Sequence, residues 1–133
     1  MPDHYTLTVL PERLSIVRLV PDTPLPNSIH KDDNLLAYIQ TRDELTMVCN
    51  EKYAPPADRI QRGLRAIKVE GPLDLSLVGV LASLLSPLST AGVSVFTIST
   101  FDTDYILVQD GVLQTAVTAL QEAGHIVKTK SLE

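Results

Sequence analysis

The 133-residue chain is 44% hydrophobic and 20% charged, a balance that suits a folded globular domain and excludes a disordered segment. Its formal net charge of −5 offers no basic surface to nucleic-acid phosphates or to an anionic membrane. No apolar run approaches the roughly 18 residues of a membrane span, and the length allows one ordinary domain or two very small ones sharing a core.

Along the chain, TLTVL (6–10) reads as a strand, expected to fold back on LSIVRL (14–19) through a Pro11-Glu12-Arg13 turn. Pro21, Pro24 and Pro26 then forbid a long helix. IQTRDELTMV (39–48) alternates around a polar centre, as a hairpin does, and APPADRIQRG leaves room for no more than a remnant of a helix. AIKV (66–69) has strand character and is broken by Gly71-Pro72. In LSLVGVLASLLSPL, apolar residues at Leu77, Val80, Leu81, Leu84, Leu85 and Leu88 keep the spacing of a buried helix face. Asp74 or Ser76 can cap that helix, Pro87 should loosen its last turn, and Gly92 ends it. ISTFDTDYILV (98–108) is a second hairpin, and GVLQTAVTALQEAGH a second helix with Val112, Leu113, Ala116, Val117 and Leu120 inward and Gly124 as its stop. A last strand, 126–130, completes the order β-α-β-β-α-β. The class expected is α+β, ferredoxin-like, with two helices on one face of an antiparallel sheet.

The first half resembles a worn copy of the second. IQTRDELTMV and ISTFDTDYILV share Ile-x-Thr-x-Asp followed by an apolar strand, and LSIVRL matches LRAIKV. Only 21 positions separate Arg18 from Ile39, against 30 from Lys68 to Ile98, so the first copy is short where its first helix should be. Residues 1–62 are expected to form a degenerate, helix-poor unit and 63–131 a complete one.

Metal and nucleophile chemistry find little support. His4, His30 and His125 lie far apart, none is near the single Cys49, and no pair has zinc-ligand spacing. Phosphate-loop, dinucleotide and nucleophile-elbow motifs are absent from the sequence. Cys49 sits in an apolar strand pattern and reads as a small buried thiol. No cofactor is expected. A lone cysteine and an N-terminus without a signal-peptide pattern suggest the cytoplasm.

EGPLDLSLVGVLASLLSPLSTAGVSVFTIST resembles the strand–loop–helix–strand core of the ACT domain, a ligand-binding module attached to many enzymes of amino-acid metabolism. From about Tyr5 to Lys128 the chain is similar to one half of the cytosolic arginine-sensing ACT proteins of animals, which also place a degenerate unit before a complete one. Those proteins have counterparts of IQTRDELTMV, LLSPLSTAGVSVF and ISTFDTDYILV, and two such copies in tandem where this chain has one. The resemblance implies tandem ACT units, an amino-acid ligand (a basic one such as arginine among the candidates), a homodimer that restores the missing half, and output through an unidentified downstream protein. It also places Ser83 where those proteins have a serine beside their ligand.

The residues suggest how an α-amino acid would be held. The loop carrying Gly71, Asp74, Leu75 and Ser76 leads into a helix whose first N–H groups are unpaired and positively polarised, a seat for a carboxylate. Gly71 lets backbone approach, and Gly79 thins the first turn for the same purpose or for packing. Across from it, Ser99, Thr100, Phe101, Asp102 and Asp104 supply acceptors for an ammonium and an exposed aromatic for a ligand or partner. Asp102 has a counterpart in Asp43 and is expected mainly to hold the turn. Asp104 begins a strand, where a carboxylate gains nothing locally, and is expected to face the ligand. Two other functions compete with a non-catalytic sensor. One is a small acid–base enzyme using Asp102 and Asp104. The other is a dimerisation or interaction module with no small ligand.

Overall fold

The computed structural model describes residues 4–24, 35–57, 59–71, 73 and 78–130. Contacts within the chain define two compact units, Glu12–Leu64 and the combination of Met1–Pro11 with Arg65–Glu133. Two strands, β1 (Thr6–Leu19) and β4 (Arg59–Val69), run from one unit into the other.

In the unit Glu12–Leu64, β2 (Ala37–Gln40) and β3 (Leu45–Asn50) form an antiparallel hairpin with Gln40 opposite Leu45. β3 then pairs antiparallel with the second half of β1, Leu14 opposite Asn50 through Leu19 opposite Leu45. Strand alternation puts Val17, Leu45, Met47 and Cys49 on one face, and all four are buried. Cys49 is thus a buried thiol, as its apolar neighbours require. Among the described residues the only helical turn of this unit is a single 3-10 turn, Glu51–Tyr53.

The other unit follows the order β-α-β-β-α-β: the end of β4, α1 (Val80–Thr90), β5 (Phe96–Ser99), β6 (Asp104–Gln109), α2 (Leu113–Glu122) and β7 (Ile126–Thr129). β6 lies between β4 and β5, with Ser99 opposite Asp104 in the β5–β6 hairpin. β7 pairs in parallel with the first half of β1, Thr6 opposite Ile126, and β1 neighbours β4 on its other side. The expected hairpin at Pro11 does not form, and β1 is a single strand of 14 residues. Pro11 lies between the register with β7, which ends at Val9, and the register with β3, which begins at Leu14, so its missing N–H is not needed by either ladder.

The two helices cover one sheet face. Leu84, Leu88, Ala116 and Leu120 pack with Leu7, Val9, Ile67, Val69, Ile106 and Val108 into one buried cluster. Leu113 and Val117 pack against it half-buried, but Val112 is 37% exposed, because it belongs to a 3-10 turn ahead of α2 and not to the helix face. Both helices end in the same way. The N–H groups of Gly92 and Val93 donate to Ser89 O and Leu88 O, and those of Gly124 and His125 to Gln121 O and Leu120 O. Each glycine takes a positive φ that costs other residues more. Pro87 sits inside α1 and leaves the Ser83 carbonyl without its helical donor. The buried ring of His125 meets that carbonyl at 3.3 Å through Nε2, while its Nδ1 accepts the Tyr5 N–H at 3.1 Å. One neutral ring therefore ties the start of β1 to the middle of α1.

Candidate functional site

The site is built where the end of β4, the start of α1 and the β5–β6 turn meet. A chain of hydrogen bonds holds the turn in place. The Thr100 N–H donates to Thr103 O at 2.8 Å, the Thr103 N–H donates to Thr100 Oγ1 at 3.2 Å, and the buried Thr103 hydroxyl donates to Val69 O at the end of β4. The Leu73 N–H donates to Asp102 O at 2.7 Å, joining the following loop to the same turn. Gly71 permits this approach, since a Cβ there would stand 3.0 Å from Asp102 O.

The turn of the β2–β3 hairpin uses the same bonds. Thr41 N–H donates to Glu44 O at 2.9 Å, and Asp43 and Glu44 donate to Thr41 Oγ1. Both hairpins thus close on a threonine, Thr41 or Thr100, and not on the aspartate that the repeat also shares. The expected turn-holding role of Asp102 belongs to its backbone carbonyl. Its carboxylate makes no hydrogen bond among the described residues and stands exposed.

Between this turn and α1 lies a cleft of about 340 Å³. One wall is Ser99 to Asp104, and the other is Leu73 with Gly79, Val80 and Leu81. Asp104 is half-buried there, its Oδ1 accepting the Ser99 hydroxyl, and strand alternation sends Tyr105 to the opposite sheet face. Phe101, 78% exposed, stands at the lip. Gly79 is the N-cap of α1 and offers no side chain to its first N–H groups, and Gly79, Val80 and Leu81 line the cleft. Its φ of 83° explains the glycine, whereas a Cβ would meet nothing within 4 Å. The residue serves the chain reversal and not close packing.

Of the expected site residues, Gly79, Ser99, Thr100, Phe101, Asp102 and Asp104 come together in this cleft. Gly71 supports the turn from behind. Ser83 is not brought to the cleft, because its hydroxyl donates back to Val80 O at 2.9 Å, the local bond open to any helix serine. Asp74, Leu75 and Ser76 lie outside the described residues. Sequence reasoning missed Thr103, Leu73, Val80 and Leu81. Thr41 and Thr100 were visible as a repeated letter, but Thr103 aligns with Glu44 and carried no signal. Among the described residues there is no group of three or more metal-ligating side chains, and no helix is long and apolar enough to cross a membrane.

Comparison with known proteins agrees with this plan. The ACT-domain family model matches residues 59–122, the segment that carries both walls of the cleft. ACT domains are regulatory modules that do not themselves catalyse. The chain belongs to one family with protein Atu0741 from Agobacterium tumefaciens, whose crystal structure is 30% identical, is matched over 97% of this chain and 96% of that one, and superposes with a TM-score of 0.87. At the level of fold alone, the ligand-free regulatory subunit of aspartate kinase from Thermus thermophilus is similar, with 12% identity, 92% and 99% coverage and a TM-score of 0.65. Aspartate kinase from Synechocystis is 14% identical, with 98% of this chain matching 28% of that one at a TM-score of 0.67. No curated protein sequence matches the chain.

Proposed function

We propose that this protein is a non-catalytic sensor that binds an α-amino acid in the cleft between α1 and the Ser99–Asp104 turn. The observation that carries the proposal is the pairing, across one cleft, of the N-terminus of α1, whose N-cap Gly79 has no side chain, with the carboxylates of Asp104 and Asp102. A ligand carboxylate fits the helix start, and a ligand ammonium fits Asp104, which Ser99 orients. Charge-assisted bonds contribute roughly 1.5–3 kcal/mol each, so about three or four support micromolar affinity after the costs of association. The second carboxylate favours a basic side chain such as that of arginine. The cleft lining described here contains no His, Lys or Cys that could work with Asp102 and Asp104, which speaks against the acid–base enzyme.

The regulatory reading draws support from the ACT-domain match and from the regulatory subunit of aspartate kinase that shares the fold. On this reading the chain is a tandem of ACT units, 1–62 degenerate and 63–131 complete, and the shared threonine turn at Thr41 and Thr100 supports the duplication. Two chains pair as a homodimer, the protein works in the cytoplasm, and the bound state is passed to a separate protein. Thermal denaturation with each standard amino acid tests the proposal. At 100 times its dissociation constant the ligand should stabilise the fold by about 2.7 kcal/mol, a shift of several degrees. No shift with any amino acid refutes it.

A further inference from the structure

The turn has a second side. Behind it, on the sheet face turned away from α1 and α2, lies another cleft of about 360 Å³, lined by Lys68 and Tyr105 from the strands and by Glu70, Gly71, Thr100, Asp102 and Thr103 from the loop and turn. Its location follows from the pleat. Ile67 and Val69 enter the core beneath the helices, so Lys68 and Glu70 face the other way, as Tyr105 does beside Asp104 and Ile106.

The chemistry of the two clefts differs. The first is lined by carboxylates and a helix start, whereas the second contains a cation, Lys68. The Lys68 ammonium lies 6.0 Å from the centre of the Tyr105 ring, with its stem half-buried. It makes no ion pair among the described residues, although Glu70 and Asp102 line the same cavity. Glu70 is held elsewhere, its Oε2 accepting the Thr8 hydroxyl. An ammonium held over an aromatic ring and left without a carboxylate has one strong interaction still open to it.

We infer that this second cleft is a separate binding site for a small zwitterion of the α-amino-acid type, with Lys68 taking the carboxylate and Glu70, through Oε1, taking the ammonium. Its volume is similar to that of the first cleft. The inference rests on the groups of this cavity alone, and its failure can be told apart from failure of the first reading.

The test is calorimetric titration, with the standard amino acids that stabilise the protein, of the wild type, Lys68→Met, Glu70→Gln and Asp104→Asn. Lys68→Met keeps the stem on Tyr105 and removes the charge, and Glu70→Gln changes an exposed residue, so both should fold. The expected result is two binding events per chain in the wild type. Lys68→Met and Glu70→Gln should weaken one of them at least tenfold and leave the other, which Asp104→Asn weakens. A single event lost only in Asp104→Asn overturns the second site and leaves the first. A single event lost only in Lys68→Met supports the second site and removes the first. A single event lost in all variants makes the two clefts one site and overturns the inference. Absence of binding by any amino acid overturns both.

Discussion

Asp104 and Asp102 stand one residue apart on one turn, yet the geometry gives them different work. Asp104 is half-buried and oriented by Ser99 in the cleft that the start of α1 also lines, while the Asp102 carboxylate is exposed. Asp104→Asn retains an oxygen for the Ser99 hydroxyl but loses the charge. It should weaken amino-acid binding at least tenfold, about 1.4 kcal/mol, with little change in melting temperature. Calorimetric titration checks this, and Asp102→Asn should show the smaller loss. The two glycines at the site should also separate. Gly79→Ala meets no atom but forces a side chain into the left-handed region, a cost of about 1–2 kcal/mol visible in thermal unfolding. Gly71→Ala presses a methyl group onto Asp102 O and Leu73 N, so it must displace the turn. Binding should suffer in Gly71→Ala beyond what its stability loss explains, as titration and melting of the same sample would reveal.

At the scale of elements, α1 serves both the core and the first cleft. Its C-terminal half is packed through Leu84 and Leu88, its N-terminus forms the cleft, and Pro87 breaks its hydrogen-bond ladder between the two. His125 repairs that break by bonding Ser83 O and, at once, the Tyr5 N–H, while its ring stacks on that of Tyr5. His125→Phe keeps an aromatic ring beside Tyr5 and removes both bonds. Each lost partner costs about 1–3 kcal/mol, so the melting temperature should fall by several degrees or more in a calorimetric scan. Thr100→Val makes the milder version of the same experiment at the turn. It loses the bond from the Thr103 N–H, worth about 0.5–1.5 kcal/mol, and should loosen the wall that both clefts share.

At the scale of the whole molecule, the proposed sensor has to report what it binds. Residues 59–122 match the ACT-domain family model, and on the proposed regulatory reading the reporting step falls to an assembly partner or to a second copy. The proposed homodimer makes a direct prediction. Light scattering after size exclusion at micromolar concentration should give twice the 14.5 kDa of one chain. A mass of 14.5 kDa would leave the single chain as the working unit and count against the likeness in plan to two-copy sensors.

Much of this was written in local chemistry. Gly92 and Gly124 marked the helix ends because only a residue free to take positive φ closes those caps cheaply, and the leucine spacing of 80–88 marked the buried face of α1. The order β-α-β-β-α-β and the Ile-x-Thr-x-Asp hairpins followed from periodicity and turn residues, which act over a few positions. The sequence also singled out Asp104, since a carboxylate opening a strand lacks a local reason, whereas the positive φ of Gly79 came only with the fold. Tertiary structure decided the rest. Whether Pro11 turned the chain depended on β7 and β3, strands more than 30 residues away in sequence, offering β1 two successive registers. The Ser83 hydroxyl turned back to Val80 O within its own helix, and Thr103 joined the cleft wall with its hydroxyl on Val69 O of β4. His125 gained its role from an orphaned carbonyl 42 positions away. Local pattern sets which groups are left with unmet hydrogen bonds or charge, but only the folded chain determines which of its own atoms meet them, and so which remain for a ligand.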